Sequence, residues 1–344
     1  MDTRSDKAVV VLLAVLAVIG AGFVFRVARV FLQPFMVAVL LSFILEIPIR
    51  ALNKLHLPRF ISTIIVMIML LGVFFLIGLF IYSSINSFIS QFPMYQDKFQ
   101  LMFEQLLDQF DEIPNDILKE INWMGTVRSY LLSWSSSFMG FLAFIGLIVI
   151  YLVFILSEKP YFRTKLDKAF AEVTSVRIGK IITSINTQIA HFLTIRFFMS
   201  LLTGTLVWII LTFIGIDFPL IWGTLAFFFN FIPNIGSIFV AIITTTQAWI
   251  QFYPEWGMTI VVFIIMSVIN LGIGNFLEPK LQGEGLNLSP LVVILTLLFW
   301  GWLWGVVGML IAIPLTGSIK IICENIPSLH PISVILGTNP KNHN

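Results

Sequence analysis

Long uninterrupted apolar runs dominate the pattern of this chain. A helix of about twenty apolar residues crosses the hydrocarbon core of a bilayer, which is roughly 30 Å thick. The chain shows no ten-residue segments of alternating polarity, the pattern that is typical of transmembrane β-strands. The runs therefore predict an all-α, polytopic membrane protein. The candidate full spans are residues 8–25, 30–45, 60–82, 138–157, 198–216 and 258–276.

Two further apolar segments are interrupted by helix-breaking residues. The first covers residues 220–250 and contains Pro233 and Gly236. As one straight helix it would reach about 46 Å and overshoot the hydrocarbon core, so it must tilt steeply or break. Proline removes a backbone donor and glycine tolerates positive φ, and both favour a break. The second segment is interrupted between Gly301 and Gly308.

The two interrupted segments echo each other at an offset of about seventy residues. The matching residues are Pro219 with Pro290, Phe228 with Phe299, and Gly236 with Gly308. If both segments are re-entrant hairpins, the span between them makes the repeat inverted. If both cross fully, the repeat is parallel and the chain crosses eight times. We expect hairpins, and hence about six to eight transmembrane segments, of which two are broken or re-entrant and form a weak inverted repeat.

The composition supports a membrane protein and excludes several other classes. Hydrophobic residues make up 58% of the chain and charged residues 11%, with a mean hydropathy of +0.98, whereas soluble domains carry about 25% charged residues. The formal net charge of +2 does not indicate a nucleic-acid partner. Cys323 is the single cysteine, so an internal disulfide and a cysteine-based zinc cluster are excluded.

Lysine and arginine set the expected orientation in the membrane. Three of these residues lie in the loop 46–59 and six between Glu158 and Lys180, but only three in residues 83–136, which carry seven acidic residues. Positive residues mark cytoplasmic loops. Both termini are therefore expected in the cytoplasm, and residues 83–136 on the other side of the membrane.

The residues after Pro93 predict helices outside the membrane spans. Apolar residues recur there at helical spacing, which indicates amphipathic helices that serve as a lid, as an oligomer contact or simply as interfacial cover. The spans and these helices together divide the chain into five expected regions. The expected regions are N-terminal spans that act as a scaffold (1–82), extracytoplasmic amphipathic helices (83–136), a span with a basic cytoplasmic segment (137–197), a transport core with both broken segments (198–325) and a cytoplasmic tail (326–344).

Polar and helix-breaking residues within the apolar segments are the candidate site. Unwound backbone inside a membrane needs polar partners, and ionisable groups at membrane depth mark pathways by default. The alternative for Glu278 is a stop signal at the membrane interface, formed with Pro279 and Lys280, and the alternative for Asn275 is a helix cap. An aromatic belt is the alternative for the tryptophans. The candidates are Asn230, Pro233, Asn234, Gly236, Ser237, Asn270, Asn275, Glu278, Trp300, Gly301, Trp304 and Gly308.

The sequence carries no recognisable catalytic constellation. The four histidines are scattered, and HExxH, GxSxG and phosphate-loop motifs are absent. We therefore expect neither an enzyme nor a cofactor nor a bound metal.

Several passages together resemble the autoinducer-2 exporter family, a bacterial group that includes the PerM-type permeases. They are Ser200-Leu-Leu-Thr-Gly204, Asn230-Phe-Ile-Pro-Asn-Ile-Gly236, Ile273-Gly-Asn-Phe-Leu-Glu-Pro-Lys280, Phe299-Trp-Gly-Trp-Leu-Trp-Gly-Val-Val-Gly-Met-Leu310 and Ile313-Pro-Leu-Thr316. The likeness is specific from about residue 185 to 325. It departs from the family pattern at Arg196, where lysine is usual, and at Lys280, where arginine is common.

The resemblance implies an inner-membrane exporter of a small polar signalling solute, of which autoinducer-2 in quorum sensing is the type. It also implies a homo-oligomer, with a pentamer as the expected form, surrounded by membrane lipid. Sodium (or lithium)/proton exchange on the same scaffold is the alternative, because members of the family have been associated with that activity. The resemblance leaves the substrate of this chain open.

Overall fold

The computed structural model is built almost entirely of helices. The described residues are 9, 12–13, 16–17, 20, 22–107, 123–170, 172–233, 235–283 and 285–338. These residues form no β-strand, and their extended pairing is limited to an isolated antiparallel bridge between Leu288 and Gly337. The all-α prediction is confirmed.

The described residues form eleven α-helices. In chain order they are α1 (Arg29–Lys54), α2 (Arg59–Leu107), α3 (Trp123–Glu158), α4 (Phe162–Ala169), α5 (Glu172–Ile214), α6 (Pro219–Phe229), α7 (Ile235–Phe252), α8 (Trp256–Asn270), α9 (Glu278–Gln282), α10 (Pro290–Asn325) and α11 (His330–Leu336). A π-helix, Leu271–Leu277, joins α8 to α9.

Seven helices of the described residues are long and apolar enough to cross a membrane, judged by length and composition. Large apolar side chains also cover the surface: Phe213 is 87% exposed and Phe276 is 76% exposed. Such a surface suits lipid rather than water. The chain is therefore a multi-pass membrane protein, as predicted, although eight of the 18 residues in the predicted span 8–25 lie outside the described residues. The seven candidates are Arg29–Lys54, Arg59–Leu79, Gly140–Ala169, Thr174–Ile214, Ile235–Phe252, Trp256–Gln282 and Pro290–Asn325.

Two helices are much longer than a bilayer is thick. Helix α2 has 49 residues and α5 has 43, which correspond to about 73 Å and about 64 Å. Helix α2 runs through Pro93, where the helix lacks one backbone donor but does not end. The region boundary expected at residue 82 thus falls inside α2, and the boundary expected at residue 197 falls inside α5.

The chain divides into two compact units. The first unit contains Met1–Phe60, Leu142–Leu193 and Glu284–Asn344, and the second contains Ile61–Phe141 and Thr194–Gly283. Each unit therefore holds one of the two interrupted segments, α10 in the first and α6 with α7 in the second. The core of the second unit is formed by buried apolar residues from α5, α6, α7 and α8.

Candidate functional site

The interrupted segment of the second unit is a helical hairpin. Helices α6 and α7 fold back on each other, with the Phe229 and Phe239 ring centroids 5.0 Å apart. At the open end, Gln247 Nε2 donates to the carbonyl oxygen of Asp217 over 3.0 Å, although 30 residues separate them in the chain. The break predicted at Pro233 and Gly236 is confirmed, and we call this element the first hairpin.

A glycine allows the two arms of the first hairpin to meet. A Cβ added to Gly236 would lie 1.7 Å from the carbonyl oxygen of Phe229. This separation is far below any van der Waals contact, so only glycine fits at position 236. Pro233 lies in the turn between the arms, and Asn234 lies outside the described residues.

Helix α10 of the first unit is also folded back, and we call it the second hairpin. Gly305 has φ 65° and ψ −146°, a backbone conformation that ends one arm and starts the next. Thr296 Oγ1 and Thr316 Oγ1 lie 3.1 Å apart across the arms, whereas 20 residues of straight helix would separate them by about 30 Å. The break predicted between Gly301 and Gly308 is confirmed.

The candidate site residues of the second hairpin lie at its tip. They are Trp300, Gly301, Trp304 and Gly308. A Cβ on Gly308 would lie 1.9 Å from the Trp300 carbonyl oxygen, and one on Gly301 would lie 2.9 Å from Met309 side-chain atoms. The ring centroids of Trp300 and Trp304 are 5.2 Å apart. The indole Nε1 of Trp304 donates to the carbonyl oxygen of Phe25 over 3.1 Å. Within the first unit, these residues pack the hairpin tip against the N-terminal helical residues.

A small cavity beside the first hairpin brings together three of the predicted site residues. Asn230 follows the end of α6, Ser237 lies in the first turn of α7, and Asn270 ends α8. The cavity has a volume of about 10 Å³, which is room for roughly one water molecule. The apolar remainder of its wall consists of Val207, Ala226, Val240, Met266, Ile269 and Ile273.

Helix α5 contributes residues that the sequence analysis did not select. Thr203 lines the cavity. One turn before it on α5, the Ser200 hydroxyl accepts a hydrogen bond from Asn230 Nδ2 over 3.2 Å, and both side chains are buried. Ser200 and Thr203 belong to the Ser200–Gly204 passage that carries part of the family resemblance, and that passage was the available signal.

The same helix packs very closely against α6. A Cβ on Gly204 of α5 would lie 2.7 Å from the carbonyl oxygen of Gly223, and a Cβ on Gly223 would lie 2.6 Å from Trp208 Cβ. Without a hydrophobic force between helices in lipid, small residues at the crossing allow the backbone contact that holds helices together. The Gly204–Gly223 crossing therefore fixes α6 on α5 next to the cavity.

The π-helix completes the cavity wall. Gly274 lines the cavity, and a Cβ at this position would lie 3.4 Å from Asn270 Oδ1. Single π-helical turns inside α-helices occur frequently at functional sites. Asn275 is exposed and does not line the cavity, so the structure does not bring this candidate together with Asn270.

Glu278 forms a buried ion pair with Arg196. The side chains are 9% and 5% exposed, and Arg196 Nη1 contacts Glu278 Oε1. Gln282 Nε2 donates to the same carboxylate oxygen over 2.8 Å. Arg196 lies one helical turn before Ser200, and Glu278 lies one turn after Gly274. The ion pair therefore continues, on both helices, the faces that line the cavity.

Two nitrogen atoms of Arg196 remain without a hydrogen-bond partner. Nε and Nη2 are both buried and unpartnered within the described chain. Buried guanidinium donors are costly to leave unsatisfied, so this position favours an acceptor oxygen from water or a solute. The described residues contain no cluster of three or more histidine, cysteine or acidic side chains that could hold a metal ion.

Comparison with known proteins gives one family along almost the whole chain. The profile of the AI-2E family transporter matches residues 13–328. A protein of Borreliella burgdorferi, named provisionally as a transport protein, is 36% identical over 97% of this chain and 91% of its own length. The AI-2 transport protein TqsA of Escherichia coli is 30% identical over 97% of this chain and 96% of its own length. Because both the profile and the relatives span nearly all of the sequence, the chain belongs to the AI-2E transporter family.

Proposed function

We propose that this transporter exports a small polar solute of the autoinducer-2 type across the bacterial inner membrane. The observation that carries the proposal is the convergence of Asn230, Ser237 and Asn270, from three separate elements, on one cavity. Amide and hydroxyl groups suit hydrogen bonding to a solute rich in hydroxyl groups. The name of TqsA, an AI-2 transport protein, supports the choice of solute.

Export requires this cavity to open. A space of about 10 Å³ holds one water molecule and no organic solute. Because α6 is fixed on α5 at the Gly204–Gly223 crossing, the part of the first hairpin that can move is its tip beyond that crossing. Movement of the tip would break the Asn230–Ser200 hydrogen bond and release both groups to the solute.

The membrane arrangement supports an alternating-access mechanism as part of the proposal. The first arms of the two hairpins, 219–229 and 290–304, reach about 16 Å and about 22 Å as helix and do not cross a hydrocarbon core alone. We propose that both hairpins re-enter the membrane, from opposite sides. Cytoplasmic termini and a homo-oligomer, with five subunits as the expected number, complete this arrangement.

Sodium (or lithium)/proton exchange is the second candidate function. It is favoured by the buried carboxylate of Glu278, since an exchanger needs an ionisable group at membrane depth. The pairing of Glu278 with Arg196 speaks against it, because loss of the carboxylate charge would leave a buried guanidinium without its counterion. Organic-solute export is therefore preferred.

Transport assays on matched asparagine variants test the proposal. Asn270→Ala removes a cavity amide, whereas Asn275→Ala removes the same group five residues away at an exposed position. In proteoliposomes we expect Asn270→Ala to lower the rate of autoinducer-2 transport per folded protein by roughly three- to tenfold, and Asn275→Ala to leave it unchanged. Equal rates for both variants and the unmodified protein would remove the cavity from the transport path.

A second arm of the same experiment separates the two functions. Sodium or lithium pulses are applied to the same vesicles while the internal pH is followed. Export predicts no cation-dependent pH change. A robust exchange signal that Glu278→Gln abolishes, in protein that remains folded, would establish the exchanger instead.

A further inference from the structure

The first unit contains a second, much larger cavity that the proposed transport path does not use. It has a volume of about 570 Å³, within the range of roughly 300–1,000 Å³ that is usual for ligand sites. Helices α1, α3, α4 and α5 all contribute to its wall. All of its lining residues belong to the first unit, whereas the first hairpin belongs to the second unit.

Most of the wall of this cavity is apolar, and part of that wall is open. Val39, Ile155, Leu166 and Ile182 contribute aliphatic surface. Phe154 lines the cavity and is 68% exposed. Since Phe154 lies on α3 within a predicted membrane span, the cavity opens through an apolar surface, which is the environment of a lipid chain.

The polar part of the wall carries an excess of positive charge. Lys159 lines the cavity, and its ammonium lies 3.1 Å from Glu46 Oε2 and 5.3 Å from the centre of the Phe43 ring. The carboxylate of Glu46 also contacts Arg50 at 3.2 Å and Arg59 at 3.4 Å. Lys159 therefore shares its carboxylate partner with two arginines that lie outside the cavity wall.

Arg163 adds a further positive charge. It lines the cavity and has no ion-pair partner among the residues that the structure describes. Glu158 is the acidic residue in the wall, and its charge is already matched by Lys165. The charged residues of the wall are Glu158, Lys159 and Arg163, so the polar end of the apolar cavity carries a net charge of +1.

We infer that this cavity binds one anionic phospholipid, with the phosphate at Lys159 and Arg163 and the acyl chains against Phe154 and its apolar neighbours. Basic pockets between membrane helices are suited to anionic lipid head groups. A soluble phosphate or organic anion would satisfy the cations but would leave the apolar wall unfilled. The amphiphile matches both parts of the cavity, and its binding does not depend on the proposed transport activity.

Lipid binding by charge variants tests the head-group part of the site. The purified, delipidated protein is reconstituted with phosphatidylglycerol or phosphatidylcholine, and bound lipid is counted by native mass spectrometry. We expect phosphatidylglycerol to bind preferentially and Arg163→Gln to weaken its binding about fivefold. Lys168→Gln is the matched control, because it removes the same charge from α4 at an exposed residue outside the cavity.

A cavity-filling variant tests the acyl-chain part. Gly179 lines the cavity, and a Cβ there would meet nothing within 4 Å, so the position accepts a side chain and Gly179→Leu adds apolar volume to the cavity wall. We expect this variant to lose bound lipid and to remain folded, and Gly146→Leu, at an open position of α3 outside the cavity, to retain the lipid. Equal binding of both lipids, no difference between Arg163→Gln and Lys168→Gln, or saturation by inorganic phosphate alone would overturn the assignment.

Discussion

Gly236 lies against the carbonyl group of Phe229 so closely that a Cβ would fall 1.7 Å from the oxygen. The second hairpin has the same relationship: a Cβ added to Gly308 would lie 1.9 Å from the carbonyl oxygen of Trp300. In both hairpins, a glycine near the start of the second arm meets the carbonyl at the end of the first. The sequence echo between the segments therefore reflects a shared way of closing a helical hairpin.

The glycine contact predicts a severe effect of the smallest possible substitution. Gly236→Ala must displace backbone, so we expect it to lower the free energy of unfolding by at least about 1–3 kcal/mol. Thermal unfolding of the purified protein in detergent measures the effect. Gly257→Ala is the control, because a Cβ at Gly257 meets nothing within 4 Å. Similar melting temperatures for the two variants would contradict the tight closure of the first hairpin.

The hydrogen bond between Asn230 and Ser200 predicts energetic coupling between α5 and the tip of the first hairpin. In a double-mutant cycle with Asn230→Ala and Ser200→Ala, we expect a coupling energy of about 0.5–1.5 kcal/mol in stability. The cycle is measured by thermal or denaturant unfolding. Strict additivity of the two substitutions would show that the 3.2 Å contact contributes nothing.

The buried pair of Arg196 and Glu278 predicts a strong asymmetry between single and double substitutions. Glu278→Gln leaves the guanidinium without its counterion, and we expect a loss of about 3–5 kcal/mol. Combining it with Arg196→Gln removes the uncompensated charge and should restore part of the stability. The fraction of protein that elutes in folded form from size-exclusion chromatography reports the difference. A double variant less stable than either single variant would contradict this account.

The contact between Tyr95 and Asp217 is expected to make the stability of the fold depend on pH. Its hydroxyl donates to Asp217 Oδ2 over 2.6 Å and accepts from Gln247 Nε2 over 3.3 Å. Burial, reinforced by the hydrogen bond to Asp217, raises the pKa of Tyr95 above its usual value of 10.0. Since the folded-state pKa is raised, the neutral phenol stabilises the fold below about pH 10, and the contribution is lost as the pH rises further.

Unfolding of the unmodified protein and of Tyr95→Phe at several pH values tests this sign. We expect Tyr95→Phe to be less stable by about 1 kcal/mol at neutral pH. The difference should stay constant from pH 7 to about pH 10 and shrink at higher pH. A difference that grows with pH above 10 would show that Tyr95 is stabilised as the anion.

The sequence predicts where helices break in this fold better than it predicts where a helix continues. Proline and glycine mark positions where a helix cannot pack or continue normally, and both hairpins were predicted from such residues. Pro93 is a residue of the same helix-breaking type, but α2 continues through it with one backbone donor fewer. Local residue types alone do not distinguish these two cases.

The sequence identifies cavity-lining residues that stand out by their own polarity, and it misses residues whose importance depends on a distant partner. Asn230, Ser237 and Asn270 stand out as polar groups in apolar runs. Thr203 did not stand out, because threonine in a membrane helix commonly bonds its own backbone, as Thr203 does to the carbonyl of Met199. The partner of Glu278 lies 82 residues away on α5, and apolar periodicity carries no information about such a pair.

The C-terminal part of α2 holds one end of the first hairpin and leaves the other end free of these contacts. Tyr95 and Lys98 lie beyond the apolar part of α2 and hold the open end of the hairpin at Asp217 and Gln251. An element that is held at one end moves most at the other end, and in the first hairpin that end is the turn beside the cavity. Tyr95 and Lys98 lie roughly 24–28 Å along α2 from Leu79, the last residue of its candidate membrane span. In the transport mechanism proposed above, the motion of this turn would therefore be restrained by a part of α2 that lies outside both its candidate membrane span and the cavity wall.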